Sequence, residues 1–147
     1  MYDYPEVALR EFIKSFAAST DPRLWMSLLK EELNELDEAL ADPSDVEHIL
    51  KEFIDVIYVT AGFSLVASSE LDYILPDDEL TAVKALFDRM DTVPTDLFND
   101  SIIRVAFHRV HQSNMSKLDD NGKPIRRADG KVLKGPNYKA PDLSDLV

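Results

Sequence analysis

A chain of 147 residues with 45% hydrophobic content is long enough to bury one core and too short for two comfortable domains. The absence of cysteine excludes a disulfide framework and a zinc-thiolate site, and points to a reducing, cytoplasmic setting. A formal net charge of -12 argues against nonspecific binding to nucleic acid or anionic membrane, and no uncharged apolar run reaches membrane-spanning length.

Val7, Leu9, Phe12, Ile13 and Phe16 recur at helical spacing and predict a first helix over Glu6 to about Ala18. Asp21 followed by Pro22 is an N-cap with proline at the first helical position, opening a second helix to about Ala41. Asp42-Pro43 ends it, and Ser44-Asp45-Val46-Glu47 reads as a capping box for a third helix to about Ser69. That third helix is apolar around most of its circumference, which places it at the centre of the fold or in a subunit interface. Pro76 precedes a shorter helix from about Asp78 to Met90, and Pro94 precedes a fifth from about Asp96 to Met115.

Beyond Leu118 the periodicity stops. Asn121-Gly122 and Asp129-Gly130 are turn dipeptides around a short strand-like piece, Lys123 to Arg127, so a hairpin or an ordered arm is expected. The reading is an all-α bundle of about five helices over residues 1–118, with a non-helical basic arm over 119–147 that packs on the body or on a neighbouring subunit. Charge divides at the same place: residues 1–116 hold 23 acids and 9 bases, whereas 117–147 hold 5 acids and 7 bases.

Two acidic pairs fall where helices bury leucines. Trp25, Leu28, Leu29, Leu33, Leu36, Ala39 and Leu40 form one apolar arc of the second helix, with Glu32 near its middle and Glu35 on its edge. On the third helix Glu52 lies within the apolar face and Asp55 at its margin. The plain alternative for such i, i+3 acids is a solvated face or a neighbouring lysine. Burying an unpaired carboxylate costs several kcal/mol, so acids inside two apolar arcs call for a metal or for basic partners. Facing carboxylate pairs make an oxygen-only cage suited to Mg²⁺ or Mn²⁺.

Other chemistries lack their residues. His108 and His111 are not preceded three residues earlier by glutamate, which removes the Glu-x-x-His signature of di-iron bundles. Four glycines, three of them in the tail, leave no phosphate-cradling loop, and covalent catalysis has no candidate nucleophile.

The Glu31-Glu32-x-x-Glu35 and Glu52-x-x-Asp55 blocks on consecutive helices resemble those of the MazG-like all-α nucleoside triphosphate pyrophosphohydrolases, which include phosphoribosyl-ATP pyrophosphohydrolase. Ser113 to Lys117 and Asp129 to Tyr138 are similar to the end of the phosphoribosyl-ATP-pyrophosphohydrolase-like branch found in bacteria and phages. The resemblance implies hydrolysis between the α and β phosphates of a nucleoside triphosphate, with a deoxynucleotide favoured by the phage-like end; a phage protein would act in the host cytoplasm. It implies Glu32, Glu35, Glu52 and Asp55 as ligands of Mg²⁺ or Mn²⁺, with Glu31 orienting a water or holding the helix through a salt bridge. Asn114 and Lys117 match sugar- and phosphate-contacting positions. Lys51 and Arg109 are further candidates for the phosphates, and Trp25 is either a stacking platform for the base or a core residue. The family is built from subunit pairs, so a homodimer or dimer of dimers is expected. A helical oligomerisation module or a nucleotide sensor that keeps the fold without turnover is the alternative class.

Overall fold

Asp21 opens the second helix as its sequence predicts: in the computed structural model, which describes residues 4–67 and 76–147, its carboxylate accepts a hydrogen bond from the N–H of Arg23 at 3.0 Å. The described residues form five α-helices: α1 (Tyr4–Phe16), α2 (Pro22–Leu40), α3 (Val46–Ala67), α4 (Asp77–Met90) and α5 (Asp100–Met115). A two-stranded antiparallel hairpin follows, β1 (Ile125–Arg126) against β2 (Val132–Leu133), with Ile125 opposite Leu133, and a single 3₁₀ turn at Ser144–Leu146 closes the described chain. The all-α bundle with a hairpin-like arm is thus observed.

Helix α3 is the axis of the bundle. It packs most extensively on α2 and then on α1 and α5, while α4 lies against α2. Leu50, Ile54 and Phe63 of α3 meet Leu29, Leu33 and Leu36 of α2, Leu9 and Phe16 of α1, and Phe107 of α5 in one core, all at most 2% exposed. Each such side chain contributes about 1.5–3 kcal/mol through removal from water. Three helices of the same chain therefore cover the apolar circumference of α3. The close approach of α2 to α3 depends on Gly62, where an added Cβ would lie 2.1 Å from the Trp25 ring.

Local chemistry moves several boundaries from their sequence expectations. The cap of α3 is Asp45, whose carboxylate accepts from the N–H of His48 at 3.1 Å. Ser44 instead donates its hydroxyl to Asp42, and Glu47 accepts from the N–H of Leu143 at 3.1 Å, so the capping box is not formed. Helix α5 begins at Asp100, four residues later than expected, because Asn99 caps the N–H of Ile102 at 2.9 Å. Helix α1 ends at Phe16, and Ala17 takes a left-handed turn with φ 45°. The expected end of α3 near Ser69 falls outside the described residues.

The arm is ordered against the helices. Arg126 donates to the carbonyls of Phe16 and Ala17, satisfying the exposed end of α1. The hydroxyl of Ser113 donates to the carbonyl of Lys139 at 2.6 Å, and Leu143 is fully buried. Gly122 and Gly130 supply the positive φ angles, 70° and 96°, that the two turns require. The strand-like segment expected over Lys123 to Arg127 is reduced to Ile125–Arg126, the part that pairs.

Candidate active site

Glu52 follows Ile49 by three residues and precedes Val56 by four, so the apolar stripe that seats α3 in the core carries its carboxylate inside as well. Its residue is 5% exposed. One turn on, Asp55 leaves the same helix, and from α2 Glu32 meets them. Carboxylate oxygens of Glu32, Glu52 and Asp55 all lie within 4.8 Å of one another. Oε2 of Glu32 and Oε2 of Glu52 are buried without a hydrogen-bond partner among the described residues. Glu35 adds to the repulsion at Glu52, but its residue is exposed.

Burial, reinforced by repulsion from Asp55, Glu35 and Glu52, pushes the Glu32 carboxyl up to about 8. Burial also raises Glu52 and Asp55, opposed in both by the Lys51 ammonium. Lys51 Nζ is 2.6 Å from Asp55 and 3.6 Å from Glu52. Burial works against its charge, yet the surrounding carboxylates outweigh that and hold it above the ordinary lysine value. One lysine does not neutralise three clustered acids. The oxygen-only donor set and its two unpartnered oxygens fit a divalent cation such as Mg²⁺ or Mn²⁺, held by Glu32, Glu52 and Asp55.

Glu32 and Asp55 of the cluster open into a cavity of about 510 Å³ between α2, α3, α5 and the arm, with Glu52 behind them. Glu32, Glu35, Lys51, Asp55, Asn114 and Lys117 line its polar side; Trp25, Leu28, Val59 and Val110 line the apolar one. Lys117 reaches it from the end of α5, its charge weakened by burial and partly restored by Asp55 and Glu32. Trp25 is 3% exposed, packed on Gly62, with its indole N–H donating to the carbonyl of Ser19 at 2.8 Å, so it is a core residue with one face on the cavity.

Two sequence candidates lie elsewhere. Arg109 is bound to Asp145 at 2.5 Å and to the carbonyl of Asp142 at 3.0 Å, beside a separate surface recess. Glu31 faces the arm, pairing with Lys131 at 2.8 Å and Arg127 at 3.1 Å. Hydrogen bonding from Lys131 holds its carboxyl below the usual range.

Other cavity residues escaped the reading of the sequence. Tyr58, one turn beyond Asp55, lines the cavity and is hydrogen-bonded to Nδ1 of His111 at 2.8 Å. Burial keeps the Tyr58 phenol protonated and lowers His111, and Asn114 beside Tyr58 opposes the rise of the phenol. The signal was present: Glu52, Asp55 and Tyr58 form one i, i+3 series, and His111, Asn114 and Lys117 form another. Lys131, Lys134 and Tyr138 of the arm line the cavity too, with no such periodicity to mark them.

Carboxylates from consecutive helices thus converge beside lysines in an all-α bundle. Residues 10–75 match the family model of phosphoribosyl-ATP pyrophosphohydrolase, bearing out the resemblance carried by the two acidic blocks. The matched segment contains both blocks and ends before α4, so Asn114, Lys117 and the arm lie beyond it. No curated protein and no solved structure matches significantly.

Proposed function

We propose that this protein hydrolyses a nucleoside triphosphate between its α and β phosphates, releasing a nucleoside monophosphate and pyrophosphate. The observation that carries the reading is the pair of buried, unpartnered carboxylate oxygens of Glu32 and Glu52, in a cluster that Glu32 and Asp55 connect to a lysine-lined cavity. The pyrophosphohydrolase family of the segment holding both residues supports it. In the reaction a water oxygen bonds to the α-phosphorus, the bond from that phosphorus to the α–β bridging oxygen breaks, and pyrophosphate leaves with the bridging oxygen.

Glu32, Glu52 and Asp55 would hold a divalent ion, with Glu35 at the rim. Such an ion supplies charge neutralisation at the phosphates and lowers the pKa of a bound water. Lys51 opposes the upward shift of Asp55 and Glu52, and Lys117 places a desolvated ammonium where phosphate charge develops, an interaction strengthened by the dry surroundings. Asn114, on the cavity wall beside Tyr58, offers an amide to a hydroxyl of the sugar. The apolar wall of Trp25, Leu28, Val59 and Val110 suits a base.

The likeness of the chain's end to phage-type members favours a deoxynucleotide. The matched family's own title favours phosphoribosyl-ATP as the second reading. Pyrophosphate release from ribo- and deoxynucleoside triphosphates and from phosphoribosyl-ATP, with Mg²⁺ or Mn²⁺ and a chelator control, decides between them. Metal-dependent release from one deoxynucleotide supports the first reading, release confined to phosphoribosyl-ATP supports the second, and silence across all substrates refutes both. Assembly as paired subunits belongs to the same proposal and is read by sedimentation equilibrium.

A further inference from the structure

Lys131, Val132 and Lys134, from the hairpin's second strand and its flanks, line the same cavity as the acids, although more than half the chain separates them from Glu32. Three contacts fix this wall. Glu31 grips Lys131 and Arg127; Val132 is 8% exposed within the core; and Gly135 lies so close to Lys117 that an added Cβ would stand 2.8 Å from the Lys117 carbonyl oxygen. The backbone after Lys134 therefore rests directly on the residue whose ammonium enters the cavity from α5.

The cations on this wall differ in how they are engaged. Lys131 is compensated by Glu31 at 2.8 Å. Lys134 has its ammonium 5.0 Å above the ring of Tyr138, another cavity residue, and no carboxylate of the described residues lies within the 4.0 Å of an ion pair. A cation held on an aromatic face at a cavity mouth is oriented without being neutralised. The body of the protein is strongly acidic, so a free lysine at this rim is where a polyanion finds compensation.

We propose that the C-terminal arm builds an anion subsite, with Lys134 poised on Tyr138 beside Lys117, that binds the pyrophosphate moiety of the substrate. This rests on the pyrophosphohydrolase reading for the identity of the anion. The acids at the inner end of the cavity would then face the scissile phosphate, and the arm would face the departing part.

Calorimetric titration of the whole protein with inorganic pyrophosphate, and separately with each of the four deoxynucleoside monophosphates, in the presence of Mg²⁺, tests it. Lys134→Gln is expected to weaken pyrophosphate binding about tenfold, the scale of one charge-assisted contact, and to leave monophosphate binding within about twofold. Lys134→Arg should retain binding. Lys123→Gln, an arm lysine away from the cavity, controls for net charge. Unchanged pyrophosphate affinity in Lys134→Gln, or equal weakening by Lys123→Gln, would overturn the subsite. If Lys134 governs pyrophosphate binding while no nucleotide is hydrolysed, the subsite stands and the proposed reaction falls; turnover with Lys134→Gln binding pyrophosphate normally gives the reverse.

Discussion

Lys51 Nζ lies 2.6 Å from Asp55 Oδ2, one helical turn apart on α3, and is the nearest positive charge to the acid cluster. It pairs closely with Asp55 and more distantly with Glu52, at 3.6 Å, and one ammonium between them leaves Glu32 and Glu52 repelling each other in a buried setting. The site is thus electrostatically incomplete as the protein alone supplies it.

A pH dependence follows from that deficit. The folded-state pKa of Glu32 is raised from 4.5 to about 8, and those of Glu52 and Asp55 are raised too. Between the unfolded and folded values the native state binds more protons, so stability falls as pH rises through this window. Glu31, Asp129 and Asp145 are lowered, and their contribution is present above the unfolded carboxylate range and lost in acid. Metal-free protein should therefore be most stable near pH 5 and lose on the order of a few kcal/mol by pH 8. Thermal melts with chelator should show this fall, and Mn²⁺ should raise the melting temperature more at pH 8 than at pH 6. A flat profile would contradict the assignment.

Glu52→Gln removes one buried charge while keeping shape. Its metal-free melting temperature at pH 8 should equal or exceed that of the parent, and the Mn²⁺-induced rise should shrink to a small fraction. Circular dichroism should show unchanged helix content. A loss of helix would mean that Glu52 serves the fold instead.

Glu31 is a latch for the arm in this structure, and the charge exchange Glu31→Lys with Lys131→Glu tests that role. Each single change should raise KM severalfold by loosening the cavity wall, and the double change should recover much of the loss, since the pair at 2.8 Å is re-formed with reversed sign. A residue that orients the attacking water would instead show lost kcat with no rescue.

The legibility of this site tracked distance along the chain. Glu52 was readable because a carboxylate inside an apolar helical stripe is anomalous within one helix. Asp21-Pro22 was readable because a cap acts over two residues. A salt bridge was one of two readings for Glu31, but its partners Arg127 and Lys131 were not readable, because they lie on an arm whose placement no periodicity encodes. Ser44 and Asp45 are both good caps, and the choice fell to Asp42 drawing the Ser44 hydroxyl away. Arg109 pairs with Asp145 beside a neighbouring recess, a contact with the arm that sequence spacing does not display.

Gly62 is required by contact with Trp25 and not by its own conformation. Gly62→Ala would place a methyl 2.1 Å from the indole and should cost about 1–3 kcal/mol in chemical unfolding, through displacement of α2 from α3. Because Trp25 also borders the cavity, its fluorescence should shift with the substitution. An unchanged unfolding midpoint would contradict this packing.

Ala17 ends α1 with φ 45°, a conformation that glycine adopts without strain. Ala17→Gly should raise stability by up to about 1 kcal/mol, measured as a higher denaturant midpoint with unchanged slope. A lower midpoint would contradict the left-handed turn.

The most direct test of the central claim is hydrolysis in ¹⁸O-labelled water with Mn²⁺, followed by mass analysis of the products from the parent and from Glu52→Gln. The account predicts nucleoside monophosphate carrying one ¹⁸O, unlabelled pyrophosphate, and no turnover in Glu52→Gln or with chelator. Label in pyrophosphate, release of nucleoside diphosphate and orthophosphate, or full activity in Glu52→Gln would contradict it.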